Sequence, residues 1–165
     1  MRTGGGRSKG QHMDPIEKRL CELGLTLPEA LVPSASYIPY RINGNTLMLA
    51  GVISIRDGKL THAGQVGRDQ TVETGYAAAE MCALNALASI KAALGRLDRV
   101  QSIFFVFGYV NAVAGFDLSH AVINGASDLF VKLYGEKGRH ARAAVAVAGL
   151  PLNATVEIQV TVLLE

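Results

Sequence analysis

The stretch Val100-Gln101-Ser102-Ile103-Phe104-Phe105-Val106-Phe107-Gly108-Tyr109-Val110 is almost continuously apolar and aromatic. That composition predicts a central strand covered on both faces, the spine of the fold. Upstream of it, Thr71 to Gly95 (TVETGYAAAEMCALNALASIKAALG) carries Ala77, Met81, Leu84, Ala88 and Lys91 on one stripe, with Leu87, Ile90 and Leu94 beside it. The pattern predicts a long helix, with Asp69 or Thr71 as N-cap and Gly95 as stop, and its many alanines allow close packing on a sheet. Downstream, Leu118, Val122, Ala126, Leu129 and Leu133 recur every three or four residues until Gly135 and Gly138, predicting a second helix over 118–134.

Two strands are predicted to close the chain, at about His140 to Val147 and Asn153 to Leu164. The last alternates, with Val156, Ile158, Val160, Val162 and Leu164 on one face and Glu157, Gln159 and Thr161 on the other. Nearer the N-terminus, Tyr37 to Tyr40, Thr46 to Ile55 and Leu60 to Ala63 read as strands joined through Asn43-Gly44-Asn45 and Arg56-Asp57-Gly58-Lys59, turns that favour positive φ. Residues 14–34 read as a short helix bearing Ile16, Leu20 and Leu23, followed by an arm punctuated by Gly24, Pro28 and Pro33. The order βββ-α-β-α-ββ describes an α+β domain with two helices on one face of a mixed sheet. The other face then needs cover, which predicts a homo-oligomer.

At 165 residues with 49% hydrophobic and 18% charged residues, the chain has the size of one globular domain. No uninterrupted apolar run approaches the ~20 residues of a membrane helix, so a soluble protein is expected. The opening MRTGGGRSKGQH holds Arg2, Arg7 and Lys9 and no acid, and reads as an expression-vector leader over 1–12. The rest has 13 Lys and Arg against 14 Asp and Glu, a net −1, which removes the compositional argument for nucleic-acid binding. Cys21 and Cys82 form no CxxC pair and have no histidine neighbours, so neither a disulfide framework nor a zinc site is expected, and a reducing, cytoplasmic location follows. The domain plan is therefore a leader, a helix and arm over 13–34, and a single domain over 35–165.

No P-loop or HExxH motif is present, and the glycine-rich run that holds the GxSxG match Gly6-Arg7-Ser8-Lys9-Gly10 lies in the leader, not between a strand and a helix. His62, His120 and His140 form no ligand pair and read as surface or capping residues. The informative segment is His140-Ala141-Arg142-Ala143-Ala144-Val145-Ala146-Val147. An arginine at the mouth of an Ala/Val strand is costly to bury without an anion. Glu157 follows across the short Gly-Leu-Pro-Leu-Asn turn, so a hairpin would bring the two together, although a surface arginine and a solvent-facing glutamate fit the spacing as well.

The segment ARAAVAVAGLPLNATVEIQV resembles the C-terminal signature of the RidA/YjgF family: an arginine opening a strand (Arg142), a Leu-Pro turn (Leu150-Pro151) and a glutamate in the closing strand (Glu157). Upstream, Tyr37, Gly44-Asn45, Gly51 and Asn124 match further family positions. The resemblance covers about residues 35–165, and the N-terminal arm and the loop at Asn111 to Asp117 are similar to the larger branch, often described as endoribonuclease or chorismate-mutase-like. It implies a chorismate-mutase-like fold and a homotrimer with pockets at the subunit interfaces. The activity it implies is cofactor-independent, metal-free hydrolysis of reactive enamines and imines such as 2-aminoacrylate to 2-keto acids and ammonia. Arg142 would hold the substrate carboxylate and Glu157 the attacking water, while Tyr37, Asn124, Gly51 and the backbone near Ala144 shape the pocket. Two departures bear on substrate identity: Ala144 stands where cysteine is frequent, and Ala50-Gly51-Val52-Ile53-Ser54 keeps the glycine of Ser-Gly-Gln-Ile-Pro and changes its neighbours. The competing expectations are a non-catalytic trimer that binds small carboxylates and an endoribonuclease. Against the latter stand the near-neutral charge and the absence of an evident His/Lys acid–base pair. Arg142 alone is thin for the dicarboxylate chorismate.

Overall fold

A computed structural model describes residues 13–165; the leader expected over 1–12 lies outside the described residues. Helix α1 (Pro15–Glu22) begins at Asp14, whose carboxylate accepts from Ile16 N at 2.8 Å. The same carboxylate, 3% exposed, reaches across the fold to accept from the backbone N–H of Leu97 and Asp98, at 2.6 and 3.1 Å. One buried side chain thus caps a helix and ties the N-terminal segment to the core. Ile16 and Leu20 pack inward, while Leu23, the third member of the expected stripe, is exposed.

The N-terminal meander is finer than its sequence suggested. Strands β1 (Tyr40–Asn43) and β2 (Thr46–Leu49) form the first hairpin. The single strand expected to follow is broken into β2, β3 (Val52–Ile53) and β4 (Ile55–Arg56), and β4 turns back onto β5 (Lys59–Leu60). Asn85 accounts for the second of these breaks, between β3 and β4: its Nδ2 donates to the carbonyls of Ile53 and Ile55, at 3.1 and 2.8 Å, drawing both toward a helix instead of a neighbouring strand. Tyr37 is not in a strand. Pro39 lacks the N–H a ladder needs and disfavours pairing just before Tyr40, so β1 starts after it.

Helix α2 (Val72–Leu94) runs from a Thr71/Thr74 capping box to Gly95 in the left-handed conformation, which glycine adopts without cost. By length and hydropathy α2 could cross a membrane, yet 72% of its most apolar stretch is buried within the fold. Its charges are few because it packs both on the sheet and against its neighbour α3 (Ser119–Tyr134). Strand β6 (Val100–Asn111) is the spine, flanked by β8 (Val156–Leu164) and β7 (Ala141–Val147) in the order β1-β2-β8-β6-β7, with β3 also on β8. β7 is parallel to β6, reached through the α3 crossover, and the other pairings in this sheet are antiparallel.

Two helices on one face of a mixed α+β sheet are therefore present as expected, but β6 is covered on one face only. Val106, Gly108 and Val110 face the helices, whereas Phe105, Phe107 and Tyr109 line the other face, where Phe107 and Tyr109 stack at 4.6 Å. Met48 and Val145 on flanking strands add to it, at 49% and 39% exposed. A second correction concerns the chain's end. β7 and β8 do not form a hairpin, because both pair with β6. The connection through the 3-10 turn at Pro151–Asn153 steps over that strand.

Candidate functional site

Arg142 sits opposite Val106, so its side chain rises on the helix side of β7. There Nη1 donates to Asn124 Oδ1 at 2.9 Å and to Ser127 Oγ at 3.0 Å, and Nη2 approaches the His120 carbonyl at 3.4 Å. All three acceptors are neutral. Among the described residues no carboxylate lies within ion-pair distance of Arg142. Asn124, which projects off its helix's apolar stripe, turns toward this guanidinium; sequence had offered only a neighbouring subunit or water. Arg142, Asn124, Ser127, Val131, Arg139 and His140 line a cleft of about 380 Å³.

Ser127 was not singled out by sequence, and His140, expected as a surface or capping residue, is half-buried in this cleft. His140 Nδ1 lies 2.7 Å from the Gly138 carbonyl, which can only accept, so Nδ1 carries the hydrogen and Nε2 accepts from the Ser127 hydroxyl at 2.9 Å. Burial lowers the pKa of His140, against the raising pull of the Gly138 bond, and the Arg142 charge lowers it further. His140 is thus a half-buried link in a polar chain, a role its isolated position gave no sign of, since its partners lie on α3 and in the preceding 3-10 turn.

Glu157 occupies the other face. It pairs with Tyr109 on β6 and Ile53 on β3, while its neighbour Ile158 is buried against the helices. Desolvation raises its carboxyl pKa above the usual range. A Cβ at Gly51 would collide with the Glu157 carboxylate, so glycine here leaves the carboxylate room to sit where it does. Glu157 and Gly51 line a cavity of about 320 Å³ with Tyr37 and Ile55, roofed by Leu31, Val32, Pro33 and Ser34 of the N-terminal arm. Arg56 holds that arm, donating to Thr26 Oγ1 and O at 3.2 and 2.9 Å. Leu152, at φ 57°, and Ser89 of α2, 3% exposed, complete the wall.

The expected site residues therefore fall into two groups within one protomer. Arg142 and Asn124 form one, Glu157, Gly51 and Tyr37 the other. Ala144 lies opposite Gly108 and packs against the core, lining neither. The expected approach of Arg142 to Glu157 on adjacent strands does not occur, because β6 intervenes. Cys82 is buried, donates to the Val156 carbonyl, and has its thiol pKa pushed well up, leaving it poorly suited to nucleophilic work.

Residues 17–164 match the family described as "YjgF/chorismate mutase-like, putative endoribonuclease". The chain belongs to this family. It is 41% identical over 148 residues to Protein TCP17 of Trypanosoma cruzi, covering 89% of this chain and 92% of that protein. Among solved structures it is 48% identical to protein Atu1372 of Agrobacterium tumefaciens, described as of unknown function, with a TM-score of 0.86 and coverage of 91% and 92% of the two chains. RidA of an Antarctic Psychrobacter shares 26% identity and a TM-score of 0.57, over 82% of this YjgF-like chain and 94% of its own.

Proposed function

We propose that this YjgF-like protein hydrolyses reactive enamines and imines of small amino acids, of which 2-aminoacrylate is the simplest, to 2-oxo acids and ammonia. The observation that carries the reading is Arg142: a permanently charged fork, partly buried, held only by neutral acceptors at the edge of a cleft. Such a group gains most from a planar anion such as a carboxylate. The relationship to RidA supports the reaction class.

In this reading 2-aminoacrylate tautomerises to 2-iminopropanoate, whose carboxylate sits on Arg142. Glu157 takes a proton from water as the oxygen adds to the imine carbon and gives it to the imine nitrogen, forming the carbinolamine; it then takes the carbinolamine hydroxyl proton as C=O forms and passes it to the same nitrogen, so that the C–N bond breaks and ammonia leaves. A carboxyl with a raised pKa is a stronger base once ionised, which suits this task. Since Arg142 and Glu157 lie on opposite faces of one sheet, the reaction needs them from two subunits. The apolar face around Phe107 and Tyr109 supplies a reason to associate, and the homotrimer is the arrangement proposed, the cleft of one subunit meeting the arm-roofed cavity of the next.

The test is release of 2-oxo acid and ammonia from enzymatically generated 2-aminoacrylate. Acceleration by wild type, lost in Arg142→Ala at unchanged oligomeric state, is the expected result; acceleration that survives the substitution contradicts the reading. A second reading, a non-catalytic carboxylate-binding trimer, is favoured by one observation: the Arg142 cleft finds its acceptors within a single protomer, without Glu157. Thermal stabilisation by 2-oxo acids without turnover of any imine would select it. RNA cleavage, which the family description suggests, finds weaker support, since the one histidine in the Arg142 cleft is held by Gly138 and Ser127.

A further inference from the structure

The bonds around Arg142 run in one direction. Its Nη1 donates to Ser127 Oγ, the Ser127 hydroxyl donates to His140 Nε2, and His140 Nδ1 donates to the Gly138 carbonyl. Each link fixes the next: the carbonyl sets the tautomer of His140, the imidazole sets the rotor of Ser127, and the hydroxyl's lone pair is thereby turned to the guanidinium. Asn124 fixes the other Nη1 hydrogen. One Nη2 hydrogen faces the His120 carbonyl, and the Nε hydrogen and the second Nη2 hydrogen have no acceptor among the described residues. A guanidinium with its Nη1 hydrogens tied and its Nε hydrogen and one Nη2 hydrogen free offers a carboxylate the paired geometry of a bidentate contact. Left alone, an arginine side chain carries rotamer freedom that a ligand would have to freeze.

We infer that Ser127 and His140 are positioning residues that hold the Arg142 guanidinium ready for a carboxylate, Ser127 directly and His140 through the Ser127 hydroxyl. This rests on the reading that Arg142 receives the ligand carboxylate, and adds the residues that pre-align it. Neither need touch the ligand. The cost of losing either is paid in binding, because the guanidinium must then be ordered by the ligand itself.

The probe is 2-oxobutanoate, titrated calorimetrically into the intact oligomer of wild type and variants whose circular dichroism and sedimentation match it. Ser127→Ala and His140→Ala should each weaken binding about tenfold, the scale of one hydrogen bond to a charged group. Ser127→Thr keeps the hydroxyl, and His140→Gln keeps an acceptor for Ser127 and a donor for Gly138; both should bind within about threefold of wild type. That rescue separates positioning from mere packing. Should Ser127→Ala fail to fold, the His140→Ala and His140→Gln pair makes the same comparison. Binding abolished by Arg142→Ala but unchanged in Ser127→Ala and His140→Ala would overturn this inference and leave the carboxylate reading standing. Equal loss in His140→Ala and His140→Gln would also overturn it. No saturable binding by wild type would overturn the carboxylate reading and this inference together.

Discussion

Arg142 and Glu157 stand on opposite faces of one sheet, two strands apart. β6 lies between them, and Arg142 is level with Val106 while Glu157 is level with Tyr109. Two strand spacings of about 4.8 Å and three residues of about 3.3 Å separate their backbones before the faces are considered. A single protomer therefore cannot close both groups on one small substrate. The shared site proposed above follows from this relationship.

Arg142→Lys should lose most of the activity, since an ammonium offers no bidentate fork and cannot satisfy Asn124 and Ser127 in the same plane. A fall in kcat/KM of roughly 100-fold is expected, corresponding to the loss of charged hydrogen bonds of about 1.5–3 kcal/mol. Steady-state kinetics across a series of 2-imino acids check it, and the melting temperature should change little.

Gly51→Ala should impair both folding and turnover, because the new Cβ takes the place of the Glu157 carboxylate. Because the atoms displaced are the end of a flexible side chain, the destabilisation expected is at the low end of overpacking, about 1 kcal/mol. Pairing it with Glu157→Ala should restore much of that loss without restoring activity. A double-mutant cycle by urea unfolding measures the coupling.

The pH dependence follows from burial of Glu157. Its folded pKa is raised, so the native state favours the protonated form. The associated stability is fully present below the unfolded value and is lost as pH rises through the folded one. Glu157→Gln should accordingly raise the melting temperature at pH 7 and do so less at pH 4. Turnover by wild type should show an acidic limb set by a group titrating above the usual glutamate range.

Asp14→Ala should destabilise the fold by about 2–4 kcal/mol, removing a helix cap and leaving the buried N–H of Leu97 without its acceptor. Because α1 leads into the arm that roofs the Glu157 cavity, KM for imines with larger apolar side chains should rise more than that for 2-aminoacrylate. Thermal unfolding and the two KM values decide it.

How far the sequence reaches depends on what each signal encodes. The alternation of Val156 through Leu164 assigns β8 and its buried face, and Thr71 and Gly95 bracket α2, because period and capping are local properties. Pairing is not local. The short Gly149–Asn153 link looks like a hairpin turn, but β7 is recruited to β6 by the α3 crossover, a choice invisible in the strand's own residues. The same limit hid half of the Arg142 cleft. Ser127 and His140 are thirteen positions apart and carry no motif, and only the packing of α3 over β7 joins them. Asn124 and Arg142 were each recognisable by resemblance, although the bond between them was not. The arm's role over Glu157 was equally out of reach, since Leu31 to Ser34 have no regular periodicity.

The most direct measurement mixes two inactive variants. Arg142→Ala and Glu157→Gln subunits, unfolded together in equal amounts and reassembled, would place an intact Arg142 beside an intact Glu157 in about one interface pocket in four of a randomly mixed cyclic trimer. The account predicts that 2-aminoacrylate hydrolysis returns to about a quarter of the wild-type rate while each variant reassembled alone stays inactive. A mixture no more active than its parents, with wild type recovering fully through the same treatment, would contradict a site shared between subunits.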